Sequence, residues 1–153
     1  MLSQTTEYVL RVAVCLAPTR GRLVTVRELS AMTGVPQNYL SKVLMQMAAK
    51  GIVSGRRGVG GGYTLDLDPQ SATVLTVVRL LGELDERDGG VEDRKGASAG
   101  FSPLNSVLNE AFGSVIAIYG RHTLSDLSRG CVVADGRVAP DVERADGFTA
   151  TRA

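Results

Sequence analysis

The chain has 153 residues, 44% of them hydrophobic; this suits one ordinary domain, or a small domain with a helical extension, and excludes two enzyme-sized domains. No apolar run approaches the roughly 20 residues needed to cross a bilayer, and the start, MLSQTTEY, lacks the basic and apolar segments of a signal peptide, so a cytoplasmic protein is expected. Net charge is only +1, yet residues 1 to 65 carry 8 Lys and Arg against Glu7 and Glu28, a balance of +6, and residues 66 to 153 carry 9 against 14, a balance of −5. A basic front and an acidic back point to an anionic partner held on one side.

Along the chain, QTTEYVLRVAVCLA (4 to 17) places Tyr8, Val9, Val12, Ala13 and Leu16 on one face of a helix that Pro18 and Gly21 end. Thr25-Val26-Arg27-Glu28 has the capping-box form, with Val26, Leu29 and Met32 at helical spacing and Gly34 closing a short helix. After Val35-Pro36 a second pattern runs from about Gln37 to Lys50. Its stripe is Leu40, Val43, Leu44 and Met47, and Gly51 stands where a C-cap is expected. Two short helices joined by a glycine-containing turn predict a helix-turn-helix. On the other face of the second helix stand Gln37, Asn38, Ser41, Lys42 and Gln46, with no carboxylate among them. A merely solvated face would mix Glu with Lys, so the composition favours contact with a polyanion.

Ile52-Val53-Ser54 and Tyr63 to Leu67 read as two short strands joined by a glycine-rich loop, Gly55 to Gly62, which carries Arg56, Arg57 and Gly60. Helix, turn, helix and hairpin make a winged helix-turn-helix. The fold class expected is mainly α with a small β-hairpin, a DNA-binding domain over residues 1 to 84. From Thr73 to Leu84 a further helix is apolar almost all round, implying a second contact surface. Residues 85 to 101 are charged and glycine-rich, the composition of a flexible linker. Ser102-Pro103 supplies an N-cap and a first-turn proline. The long helix that follows has Leu104, Val107, Leu108, Ala111, Phe112, Val115, Ile116 and Tyr119 spaced as a two-helix seam. That seam fits the same helix of a second subunit; intramolecular docking onto the first domain is the alternative. Thr123 to Asp126 repeats the capping-box form and completes a unit over 102 to 128, and residues 129 to 153 are expected to be a disordered tail.

The glycine loop does not fit a nucleotide enzyme. A P-loop needs a lysine entering a helix, and a dinucleotide loop needs a preceding parallel strand and a following helix; here YTLDL, a strand, follows. As a wing, its glycines let backbone approach phosphates while Arg56 and Arg57 contact the DNA backbone or a narrow minor groove. A hairpin tip that is only flexible has the same composition. No catalytic set is visible: His122, the one histidine, sits before a capping threonine with no nucleophile arranged around it. Cys15 and Cys131 lie 116 positions apart, without metal-ligand spacing, and Cys15 in VAVCLA reads as a small buried hydrophobe. Neither a cofactor nor a metal is expected.

The stretches LSQTTEYVLR, VRELSAMTGVPQNYLSKVLMQMAAKGIVSGRRGVGGGYTL and HTLSDL are similar to the Rrf-type (BadM-like) winged-helix regulators. NYLSKVL together with RRGVGGGY is the specific part. The resemblance covers residues 1 to 84 strongly and the stretch to Leu127 more loosely. It implies a homodimer on a palindromic operator in double-stranded DNA, with Gln37, Asn38, Ser41 and Lys42 facing the major groove and Arg56, Arg57 and Gly60 in the wing. The long helix becomes the dimer seam, and Arg11 matches a position that touches DNA in some members. Cluster-binding members carry three cysteines in the segment matching about 85 to 110, where this chain has none. Glu7 matches a position that can supply a carboxylate ligand, but one oxygen without thiolates cannot hold an iron–sulfur cluster. The expectation is a regulator, taken as a repressor, whose signal is a small molecule, a partner protein or cysteine oxidation. A winged-helix module that binds only protein is the competing class; it would show exposed apolar residues on the recognition face.

Overall fold

The computed structural model describes residues 2–19, 21–84 and 102–129. The expected linker and tail lie outside them, apart from Arg129. Six helices and one hairpin follow in the order α1 (Gln4–Leu16), α2 (Val26–Thr33), α3 (Gln37–Ala49), β1 (Val53–Arg56), β2 (Gly62–Leu65), α4 (Val74–Leu81), α5 (Ser102–Arg121) and α6 (Leu124–Ser128), with a 3-10 turn at Ala17–Thr19. This is a mainly helical winged helix-turn-helix.

Local chemistry starts most of the helices. Ser3 caps α1 by accepting from the Thr6 N–H. Thr25 and Glu28 form the full capping box of α2, and Thr123 and Asp126 that of α6; each satisfies N–H groups that have no intrahelical acceptor. Thr73 caps α4 with Thr76 as its reciprocal partner. That helix stops at Leu81, three residues before its predicted end, because Gly82 takes a left-handed φ of 78° and turns the chain. α5 begins at Ser102 itself, which stands inside the helix where an N-cap was predicted.

α1 runs through the middle of the molecule and packs on α2, α3, α4, α6 and β2. One continuous core joins its Val9, Val12, Ala13 and Leu16 to Leu29, to Leu40, Val43, Leu44 and Met47 of α3, and to Ile52 and Val77. Leu124 of α6 is fully buried in the same core, so the chain beyond α5 returns to α1. The Leu124 N–H donates to the Ala72 carbonyl at 2.9 Å, and the Val74 N–H to that of His122 at 3.1 Å. His122 thus serves through its backbone at the junction.

The hairpin is antiparallel, with Val53 opposite Leu65, Ser54 opposite Thr64, Gly55 opposite Tyr63 and Arg56 opposite Gly62. β1 therefore continues two residues beyond the predicted Ser54, and Gly55, Arg56 and Gly62 belong to the ladder, leaving only residues 57 to 61 as the turn. A Cβ on Gly55 would stand 2.8 Å from Cε1 of Tyr63; the absence of a side chain lets the Tyr63 ring lie across the strand and the pairing continue. Val24 adds a bridge on the far side of Tyr63, with bonds of 2.9 and 2.8 Å, fixing the hairpin to the segment that enters α2.

Candidate nucleic-acid interface

The turn between α2 and α3 sets their crossing. Gly34 takes a φ of 73°, open to glycine at little cost. The Ser30 hydroxyl donates to the Val35 carbonyl at 2.7 Å, and the Val35 N–H donates to Thr33 Oγ1 at 3.2 Å. At the start of α3, the Tyr39 hydroxyl meets Thr5 Oγ1 at 3.0 Å, and its ring stands edge-on to Tyr8 with centroids 5.3 Å apart. The polar end of α3 is thereby held rigidly against α1.

With Leu40, Val43, Leu44 and Met47 buried, the outer face of α3 presents Gln37, Asn38, Ser41, Lys42 and Gln46, all exposed. Beside it, a groove of about 590 Å³ runs between α3 and the wing, lined by Thr25, the N-cap of α2, Val26 of α2, Ser41, Met45 and Ala48 of α3, and Arg56, Arg57 and Gly61 of the hairpin. The structure thus brings Ser41, Arg56 and Arg57 to one concave surface. Gly60 sits in the exposed turn with a φ of 73°. Packing at Gly61 is tight: a Cβ there would lie 2.2 Å from the Arg56 carbonyl oxygen.

Arg11 is placed differently from Arg56 and Arg57. Its guanidinium pairs with Glu7 at 2.5 Å, reaches the Thr33 carbonyl at 3.5 Å and lies 5.9 Å from the centre of the Tyr8 ring. About half of its side chain is exposed, so it braces α1 against the end of α2 while keeping an open edge. Glu28 is occupied too: hydrogen bonds from the Thr25 N–H and hydroxyl, then Arg22, hold its carboxyl below the ordinary 4.5. Lys42, Arg56 and Arg57 have no carboxylate partner among the described residues. Both acids of the front half are paired, Glu7 with Arg11 and Glu28 with Arg22, which leaves Lys42 of α3 and the wing arginines without a nearby carboxylate among the described residues.

Met45 was missed by the sequence reading. It is 69% exposed on the otherwise polar face, and its spacing of seven from Asn38 and four from Ser41 is the signal that could have found it. Val59, at the tip of the wing, is also fully exposed.

The family model for Rrf2, described as an iron-dependent transcriptional regulator, matches residues 2–130. The chain belongs to the Rrf2 family. The HTH-type transcriptional regulator NsrR of Bacillus subtilis is 33% identical over 133 residues, covering 82% of this chain and 88% of NsrR. Among solved structures, CymR, the global cysteine regulator of B. subtilis, superposes with a TM-score of 0.68 at 21% identity, covering 84% of this chain and 95% of CymR. IscR of T. potens does so with 0.65 at 24% identity, covering 83% and 85%. These likenesses agree with the fold described. An Rrf2 regulator binds DNA.

The family description names iron, and the described residues of this Rrf2 chain bring no thiolate ligand set together. Its cysteines are Cys15 and Cys131 alone, too few for the three or four thiolates that hold a cluster. Cys15 is buried, Glu7 is engaged by Arg11, and no group of three or more His, Cys, Asp or Glu comes together among the described residues. No helix among them is long and apolar enough to cross a membrane.

Proposed function

We propose that this Rrf2 protein is a homodimeric repressor that binds a two-fold-symmetric operator without an iron–sulfur cluster. α3 enters the major groove, where Gln37, Asn38, Ser41 and Lys42 meet base edges and phosphates. The wing lies along the neighbouring minor groove, with Arg56, Arg57 and the backbone of Gly60 against the sugar-phosphate chain. Arg11 reaches a phosphate with the edge of its guanidinium that Glu7 leaves open. The observation that carries the reading is the carboxylate-free face of α3 beside two unpaired arginines, a combination that suits phosphate far better than solvent.

The dimer rests on α5. Leu104, Val107, Leu108 and Val115 are exposed, Phe112, Ile116 and Tyr119 are half-buried, and Ala111 is exposed beside them. So long an apolar row on a 20-residue helix suits burial against a second copy. Ile118, 51% exposed, joins the seam. A regulator with only two cysteines takes its signal from a small molecule, a partner protein or thiol oxidation.

Selection of binding sites from random duplex DNA tests the proposal, with light scattering on the free protein. A two-fold-symmetric enriched site and a dimer mass are expected. Enrichment of no site, or a monomer at micromolar concentration, would overturn it, as would iron and sulfide in anaerobically purified protein for the cluster-free part.

A further inference from the structure

We propose that Met45 is a specificity-determining residue that reads the 5-methyl group of a thymine in the major groove; the inference rests on the DNA-binding reading above. Three observations meet at this side chain. It is 69% exposed, although its neighbours Leu44 and Met47 are fully buried, so it is no part of the core and none of the described residues covers it. It stands one helical turn from Ser41 and Lys42 and two from Asn38, in the middle of the polar row rather than at its margin. It also lines the groove shared with Ser41 and Arg57, so a duplex seated on the wing arginines lies over it.

The chemistry then narrows the partner. An apolar side chain kept in water on a DNA-facing surface gains most from an apolar group on the DNA, and the major groove offers one, the thymine methyl. Methionine suits the contact because its unbranched thioether adapts to an irregular gap. Ala48, also exposed in the same groove, leaves room for the base edge to approach the next turn. A protein partner is less well matched. Met45 is the one large apolar residue exposed on α3, among amides, a hydroxyl, cations and the small Ala48, and Val59, the other large exposed apolar residue of this side, is across the groove on the turn of the wing. Protein-docking patches are contiguous.

The test uses the operator selected above, with each thymine of a half-site replaced in turn by deoxyuridine, which removes only the methyl group. For the native protein, one position per half-site should weaken binding by about fourfold, the value of one buried methyl, and by about fifteenfold when both half-sites are changed. Met45→Ala should bind with no penalty at that position and should lose the preference for thymine over cytosine there. Met45→Leu should keep the methyl sensitivity and Met45→Gln should lose it, a pair that separates reading from loss of fold. 5-Methylcytosine in place of cytosine at that position should strengthen native binding and leave Met45→Ala unchanged. The proposal is overturned if Met45→Ala retains the deoxyuridine penalty, or if no thymine shows one with native protein; Met45 would then be left for a protein partner. Failure to select any DNA sequence strikes the DNA-binding reading instead and is seen before Met45 is tested.

Discussion

The charge placement makes the salt dependence of binding calculable. Arg11 and Arg22 are neutralised by Glu7 and Glu28, so even where Arg11 touches a phosphate its pair with Glu7 brings no net charge, whereas on the proposed placement Lys42, Arg56 and Arg57 bring three unpaired cations per protomer to the duplex. One phosphate for each gives a dimer about six contacts and a slope of log K against log salt of about −5.4. Between about 50 and 200 mM salt the affinity should then fall roughly 2,000-fold. Arg57→Ala removes two contacts per dimer, which should flatten the slope to about −3.6 and reduce the loss over the same range to roughly 150-fold. Arg79→Ala, an exposed arginine at the end of α4 beside Gly120 of α5, should leave the slope unaltered. Fluorescence anisotropy with a labelled duplex, read at five or so salt concentrations, measures both. An unchanged slope in folded Arg57→Ala, or the same flattening in Arg79→Ala, would refute the placement of the DNA on the wing.

Val107→Asp puts a charge on the exposed face of α5 and should convert the proposed dimer to monomer by sedimentation, with helical content by circular dichroism retained. Gly61→Ala forces a Cβ to 2.2 Å from the Arg56 carbonyl, so the turn must open; operator affinity should fall at least tenfold, or about 1.4 kcal/mol, with a smaller change in melting temperature. Leu124→Ala empties a fully buried site where α6 meets α1 and should cost about 2–5 kcal/mol in urea unfolding. Acid should weaken the fold through its capping carboxylates. Thr25 hydrogen bonds lower Glu28 from 4.5, and Thr123 hydrogen bonds lower Asp126 from 3.8. At Glu83 the upward push of burial is outweighed by hydrogen bonds from Ser3 and Thr6. Each lowered group binds more protons when unfolded, so its contribution is complete above the ordinary value and is lost as pH falls below it and through the folded value. Melting temperature should decline below about pH 4.5, and Glu28→Gln should shallow that decline.

What was legible in the sequence was what is decided locally. Thr25 with Glu28 and Thr123 with Asp126 start α2 and α6 because a cap needs only residues three apart, and the stripe Leu40, Val43, Leu44, Met47 fixes which side of α3 is buried. The edges of the hairpin were not legible, because they depend on residues far apart in sequence. Gly55 reads as a loop residue until the Tyr63 ring is seen to need the space above it, and nothing in Leu23 or Val24 announces a bridge to Tyr63. The early stop of α4 turns on Gly82, a glycine that composition alone leaves free to sit inside the helix or end it. Met45 was hidden for another reason: attention to the polar residues of the recognition face passes over an apolar one at the same spacing.

If the wing holds the duplex and α3 reads it, affinity and specificity should be separable on this surface, because different side chains would carry most of each. On the proposed placement Arg56 and Arg57 act on phosphates that every sequence presents, so their loss should lower affinity for all duplexes and flatten the salt slope, whereas loss of Lys42, on α3, should flatten the slope and also shift sequence preference. Met45 carries no charge and releases no counterion, so its loss should leave the slope intact and alter preference at one base. An Arg57 variant with an unchanged methyl penalty, beside a Met45 variant with an unchanged salt slope, would show that the wing holds the duplex while α3 reads it. A Met45 variant that flattened the slope would mean instead that the side chain supports the groove in which Arg57 lies, through packing and not through a base.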